Sequence, residues 1–279
     1  MTQTSRRMAW LVVPALIFLL LFFLYPLLLM LQRSISEPSW GLHNFVRIAN
    51  SSTYLRVLLN TLRMALAVTF FCLLLGYPYA YLMTLAKPRW AGLLLIAVLI
   101  PFWSSILVRT YAWTVLLQDS GVINSLLLEL GIITRPLRLM RNFTGVVIGM
   151  THVLLPFMVL PLYAVMQRID LDLLRAAQSL GARPAAAFRQ VFLPLSLSGV
   201  YAGCLLVFVV ALGYYITPTL LGSPRETMMG DMVVQQIQQV RNWGMGSALG
   251  VVLLAVTLLL LACVARVVNI NAVLGGDEL

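Results

Sequence analysis

Apolar stretches long enough to cross a bilayer recur along this chain, and no other feature constrains its fold as much. They fall at about 10–31, 57–85, 91–115, 143–165, 195–216 and 245–268. A helix needs roughly 20 predominantly apolar residues to span the hydrocarbon core, where lipid-exposed irregular backbone is not tolerated. The expectation is an all-α integral membrane protein: one transmembrane domain over 1–279, six transmembrane helices, and both termini on the same side. Composition agrees, since 61% of the residues are hydrophobic and 10% charged, with a mean hydropathy of +0.94. A soluble domain carries about 25% charged residues.

A formal charge of +10 would suggest a nucleic-acid partner in a soluble protein. Here the basic residues sit mostly in short segments between apolar runs, where anionic lipid and topology account for them, so the bilayer is the expected partner and nucleic acid is not. Placing the N-terminus inside divides the 19 basic residues almost evenly between the two sides, so their total does not decide orientation. Position does: Arg6 and Arg7 immediately precede the first run, and Lys87 and Arg89 share a short turn after the second. Both put the termini in the cytoplasm by the bias of basic residues toward that side. A cleaved signal peptide is the competing reading of the first run. The run is too long for one, and Tyr25-Pro26 and then Gln32-Arg33 stand where a small-residue cleavage site would.

Catalytic and metal chemistry find little footing. Lys87 is the only lysine and lies in Ala-Lys-Pro-Arg, and no Gly-rich phosphate loop ending in Lys-Ser/Thr occurs, so the chain does not hold ATP phosphates that way. Cys72, Cys204 and Cys263 fall within apolar runs and read as small buried hydrophobes. His43 and His152 are the only histidines, with no second ligand at metal spacing, and every Asp and Glu lies in a loop or tail. An enzyme is not expected, and no cofactor or metal is expected in this chain.

The loops carry the remaining information. Residues 32–56 suit an external loop with a short interfacial helix, 118–141 contains an amphipathic piece at 122–130, and 217–243 holds a helix from about Asp231 to Arg241. That last helix, with Gln235, Gln236, Gln238 and Gln239, would lie at the outer mouth as a gate or a docking surface. The segment 166–194 is the most structured. Asp170 suits a helix N-cap and Asp172 its first turn, with Leu171, Leu174 and Gln178 at helical spacing. Gly181 fits the left-handed position that ends such a helix, and Pro184 fits the first turn of a second, with Ala182 and Arg183 as the elbow. Phe188, Val191 and Phe192 then form an apolar face before Pro194 and the fifth span. Two short helices with a tight bend are predicted. Their alanines would let a partner approach closely, and Arg175, Arg183 and Arg189 could pair with acids on it. Residue chemistry alone leaves an amphipathic loop adhering to lipid equally open.

The same stretch resembles the EAA loop of binding-protein-dependent ABC importer permeases. Ala176, Ala177, Gly181, Leu193 and Pro194 match that pattern in type and spacing, while Arg175 stands where the family usually has Glu. A second resemblance covers most of the chain. Arg109-Thr-Tyr-Ala-Trp113, Gly121-Val-Ile-Asn124, and Tyr214-Tyr-Ile-Thr-Pro218 leading to Leu221-Gly222 and Pro224-Arg225 are similar to the spermidine/putrescine-type permeases. The resemblance implies a coupling helix seated on a cytoplasmic ATPase dimer that binds ATP and Mg. It also implies a pore shared with a second permease subunit, a heterodimer in this subfamily, and a periplasmic binding protein that delivers a small solute such as spermidine or putrescine. The residues it assigns to ATPase coupling are Arg175, Ala176, Ala177, Ser179, Leu180, Gly181, Ala182, Arg183, Pro184 and Phe188.

For a cationic solute, Tyr111, Trp113, Tyr214 and Tyr215 could form an aromatic surface along the path, because ring faces attract ammonium groups. The same residues fit an interfacial aromatic belt. Arg63 and Arg109, near span ends, are expected to snorkel to headgroups. With no acid inside any span, selectivity is expected to reside in the binding protein. Pro101, Pro156, Pro161 and Pro218 could be hinges or static kinks. An ion-gradient-driven transporter of small organic cations is the alternative function. It would normally show an intramembrane ionisable coupling residue or a half-to-half repeat, and neither is found.

Overall fold

A computed structural model describes residues 13–267, and every regular element among them is helical. The Arg6-Arg7 pair, the start of the first apolar run at Trp10, and Val268 at the close of the sixth lie outside the described residues. The elements are α1 (Val13–Ser36), α2 (His43–Asn50), α3 (Ser52–Leu85), α4 (Pro88–Trp103), α5 (Ile106–Leu117) and α6 (Val122–Glu129). They continue as α7 (Phe143–Met166), α8 (Asp172–Ser179), α9 (Pro184–Leu212), α10 (Ile216–Leu221), α11 (Met229–Val234) and α12 (Trp243–Val267). Helices α1, α3, α7, α9 and α12 are long and apolar enough to cross a membrane, and the bent run from α4 into α5 and α6 passes the same test as one broken span.

Two of these helices widen at the same distance from a proline. Turns of π geometry occupy Leu20–Leu24 in α1 and Phe188–Phe192 in α9, and Pro26 and Pro194 each follow two residues later. A proline inside a helix cannot donate to the carbonyl four residues back, and its ring collides with that carbonyl. Widening the preceding turn, so that the Tyr25 N–H reaches Leu20 O and the Leu193 N–H reaches Phe188 O, relieves the collision while the helix continues. The expected boundary between a second short helix and a fifth span at Leu195 is therefore absent: α9 runs unbroken from Pro184 to Leu212.

The described residues pack as two compact units, one of 13–56 and 232–256, the other of 57–231 and 257–267. In the first, Asn44 of α2 is almost wholly buried and donates to Ser34 O (3.1 Å) and Glu37 O (2.7 Å), closing the carbonyl end of α1. The Arg33 guanidinium stands 5.1 Å over the Trp243 ring, and Met30 packs across Gly250.

Helix α7 is the core of the second unit, two thirds buried over its apolar window against one third for α3 and α9. Helix α9 crosses it at two glycines: a Cβ on Gly203 would lie 2.7 Å from Met158 Sδ, and one on Gly199 would lie 3.2 Å from Pro161 O. On α3, the Cys72 thiol approaches Thr151 O at 3.6 Å, and Tyr79 donates to Leu94 O of α4 at 2.6 Å. The third apolar run, expected as a continuous span over 91–115, is broken. Helix α4 ends at Trp103, Ser104 and Ser105 are extended, and the chain turns by 99° into α5. Pro101 leaves a carbonyl without its intrahelical donor, and the Ser104 hydroxyl folds back onto Pro101 O (3.1 Å) instead of prolonging the helix.

The second unit has two ends. At one, Thr61 Oγ1 accepts from the Met229 N–H (2.9 Å), the Asn60 amide donates to Thr227 O (3.0 Å), and the Arg141 N–H donates to Leu221 O (2.9 Å). Arg63 belongs here too, its guanidinium 4.3 Å from the Phe143 ring; it is held by an aromatic face of the next long helix where snorkelling was expected. At the other end, the turn after α3 and the segment after α7 enclose a cleft of about 370 Å³. Helix α4 starts at this second end, and the chain emerging from α6 reaches the first by Arg141. The bent pair thus carries the chain from one end to the other.

Candidate functional site

The element between α7 and α9 is short, exposed and rigid. Helix α8 has no buried residue. Asp170 Oδ1 accepts from the Asp172 N–H at 2.9 Å, capping it from two residues upstream, while Leu171 occupies the N-cap position itself. The carbonyl end is closed by paired bonds, with the Ala182 N–H reaching Ala177 O (3.0 Å) and the Gly181 N–H reaching Gln178 O (2.9 Å). This is the Schellman arrangement, which requires a residue in the left-handed region, and Gly181 supplies it at φ +93°. Arg183 is extended, Pro184 opens α9, and the Ala187 N–H bonds back to Arg183 O (2.9 Å). The bend is thus tied by backbone bonds on both sides.

The exposed surface is apolar where it projects furthest. Leu180 is 90% exposed, a placement water does not favour, flanked by exposed Ala176, Ser179, Gly181 and Arg183. Arg175 Nη1 bonds Asp172 Oδ1 at 2.8 Å, so its charge is held along the helix by an acid three residues earlier. Phe188 lies elsewhere. Its ring stacks on Phe192 (5.6 Å) and meets Tyr81 (5.2 Å) and Tyr77 (6.3 Å) edge-on, so it faces α3 and leaves the exposed tip. Sequence reasoning missed Tyr77 and Tyr81, although two tyrosines four residues apart mark one helix face.

The four aromatic residues expected along a substrate path do not share one surface. Tyr111 and Tyr215 are exposed, whereas Trp113 turns inward and donates from Nε1 to His152 Nδ1 (3.2 Å). The Tyr214 hydroxyl is buried beside Thr217 Oγ1. Arg109 lies close to this interior group, and its Nε is buried with no hydrogen-bond partner among the described residues. The expected snorkel is not what is seen, because the 99° break turns α5, and Arg109 with it, back toward α7 and α10. His152 and Trp113 also border an apolar groove of about 540 Å³ along α7. The cluster holds several donors, and the second unit also buries a carboxylate, Asp231, whose Oδ1 accepts from Thr219 Oγ1 of α10 at 3.1 Å. Among the described residues no group of His, Cys, Asp and Glu could hold a metal ion.

The chain is a multi-pass helical membrane protein with a backbone-tied bend projecting between two of its long helices. Residues 90–272 match the family model for the binding-protein-dependent transport system inner membrane component, and the chain belongs to that family. It is similar to the spermidine/putrescine transport system permease protein PotB of Haemophilus influenzae, 38% identical over 220 residues that cover 79% of this chain and 77% of that one. Its similarity to PotB of Salmonella typhimurium is 35% over 269 residues, covering 94% and 93% of the two chains. Its fold matches a solved bacterial alginate ABC transporter in complex with an alginate pentasaccharide-bound periplasmic protein, at a TM-score of 0.74 and 19% identity over 92% of each chain. The protein is therefore the permease of a binding-protein-dependent ABC importer, a multi-pass inner-membrane protein that works with an ATPase and a binding protein. ATP hydrolysis belongs to the separate ATPase subunit, and the permease itself binds no cofactor.

Proposed function

We propose that this chain forms, with a different second permease subunit, the path by which a polyamine such as spermidine or putrescine enters the cell after delivery by a periplasmic binding protein. The observation that carries the substrate is the similarity to two PotB permeases over most of both chains. The region 170–188 is the docking element for a cytoplasmic ATPase dimer, with Leu180 and the surrounding small residues entering a cleft on it. The support is physical: an exposed leucine on a backbone-tied bend gains from burial, and a rigid element transmits a partner's closure where a floppy loop would absorb it.

Docking sets a condition on topology. If α8 is cytoplasmic together with the Lys87 turn and the termini, then α4 through α6 must count as one crossing, giving six. The placement of the two ends of the second unit is consistent with that count. Along the path, Tyr111, Trp113, Tyr214 and Tyr215 offer ring faces at low affinity. Arg109, a fixed cation with a buried Nε, disfavours a lasting stop for a polycation in this half of the pore, which leaves selection to the binding protein. The test is binding of radiolabelled spermidine and putrescine to the cognate binding protein, followed by uptake into vesicles holding both permeases and the ATPase. Polyamine uptake that requires ATP supports the reading. Tight binding of a different solute, with polyamines excluded, overturns the substrate assignment and leaves the family unchanged.

A further inference from the structure

We propose that Tyr77, Tyr81, Phe188 and Phe192 are positioning residues, an aromatic clamp that makes the coupling bend, the foot of α9 and the adjoining part of α3 move as one body. Phe188 and Phe192 lie on the π turn that follows the bend, one helical turn apart, with rings stacked at 5.6 Å and 18°. Tyr81 of α3 meets both edge-on, at 5.2 Å to Phe188 and 4.9 Å to Phe192, and Tyr77 adds a third edge contact at 6.3 Å. Phe192 is fully buried, so the cluster is a packed joint and not a surface patch.

A hydrogen bond fixes its register. Ser196 Oγ donates to Leu193 O (2.9 Å), which uses its one proton, so the Tyr77 hydroxyl is the donor in the 2.8 Å contact with Ser196. Beyond this bond the helices part around an apolar groove of about 390 Å³, lined by Phe70, Leu74, Pro78, Leu193, Leu197 and Val200. The clamp is thus a local joint between α3 and α9 with free volume on one side, and Pro78 weakens α3 at that level. A displacement of the bend reaches α9 through the backbone, and it reaches α3 through these four rings.

The inference rests on the docking of the bend to the ATPase, and the experiment separates the two. Nitroxide labels are placed at Gln178→Cys and Leu82→Cys, in a chain carrying Cys72→Ala, Cys204→Ala and Cys263→Ala, within the complete transporter. Their separation is measured without nucleotide and after trapping with ATP, Mg²⁺ and vanadate. In the otherwise unaltered complex the separation should hold to within about 2 Å, the size of a small helix shift. In Tyr81→Leu and Phe188→Leu it should change by more than that. A separation that already varies without these substitutions, or that holds equally with them, overturns the clamp. Tyr77→Leu removes the outermost ring and leaves the buried Phe192 contacts in place, and it serves, with the same two outcomes, where a leucine variant at Tyr81 or Phe188 fails to co-purify with the ATPase. If Gly181→Pro retains the ATPase and normal uptake, the docking reading itself fails. If Gly181→Pro loses both while the leucine variants behave as the parent, only the clamp fails.

Discussion

At Gly181 the backbone stands at φ +93° and a Cβ would meet nothing within 4 Å, so the demand for glycine is conformational and not steric. The two substitutions available there separate by mechanism. Alanine keeps the N–H that bonds Gln178 O and meets only the left-handed cost of about 1–2 kcal/mol. Proline removes that N–H and fixes φ near −65°, which the bend cannot accept. Gly181→Ala should therefore retain most binding-protein-stimulated ATPase activity, whereas Gly181→Pro should lose it while still inserting in the membrane. Undiminished activity in Gly181→Pro would show that the bend is not the coupling element. At Gly203 the demand is instead steric, since Met158 of α7 already occupies the space. Gly203→Leu should destabilise the detergent-purified complex by about 1–3 kcal/mol, the cost of overpacking a close helix crossing, seen as a lower Tm. An unchanged Tm would mean that α7 and α9 can separate freely.

Among the elements, the bend was legible in advance because its determinants are local. Gly181, Pro184 and the Asp170 cap act within a few residues, and the backbone bonds of the Schellman arrangement follow from them. The break at Ser104 and Ser105 was not legible, because a proline in an apolar run produces a kink, a break or a widened turn depending on what packs against it. Pro101, Pro26 and Pro194 show two of those outcomes in one chain. Nor could periodicity show that Phe188 turns toward Tyr81, or that Arg109 points inward, since both depend on helices distant in sequence. Of the residues expected to line a substrate path, Trp113 and Tyr214 share the neighbourhood of Arg109 and His152, while Tyr111 and Tyr215 are exposed. The break carries its own prediction. Because α4 to α6 must make one crossing for α8 to share a side with Lys87, Asp119→Cys should be labelled by an impermeant maleimide added outside intact cells. Lys87→Cys and Gln178→Cys should be labelled only after permeabilisation. Labelling of Lys87→Cys and Asp119→Cys from one side, with Gln178→Cys labelled from the other, would make the bent pair re-entrant and would separate α8 from the cytoplasmic turn.

For the whole molecule, the family assigns energy, selection and passage to different chains, and the residues agree with that division. No phosphate loop is present in the sequence. The central claim is that this chain carries solute only when an ATPase is docked at 170–188. The most direct measurement is spermidine uptake into vesicles reconstituted with both permeases, the ATPase and the loaded binding protein, with and without enclosed ATP and with and without Gly181→Pro. Uptake that needs ATP and is lost in Gly181→Pro, with the variant still inserted, is the predicted result. Uptake driven by an ion gradient in the absence of ATP, or undiminished in Gly181→Pro, would contradict it.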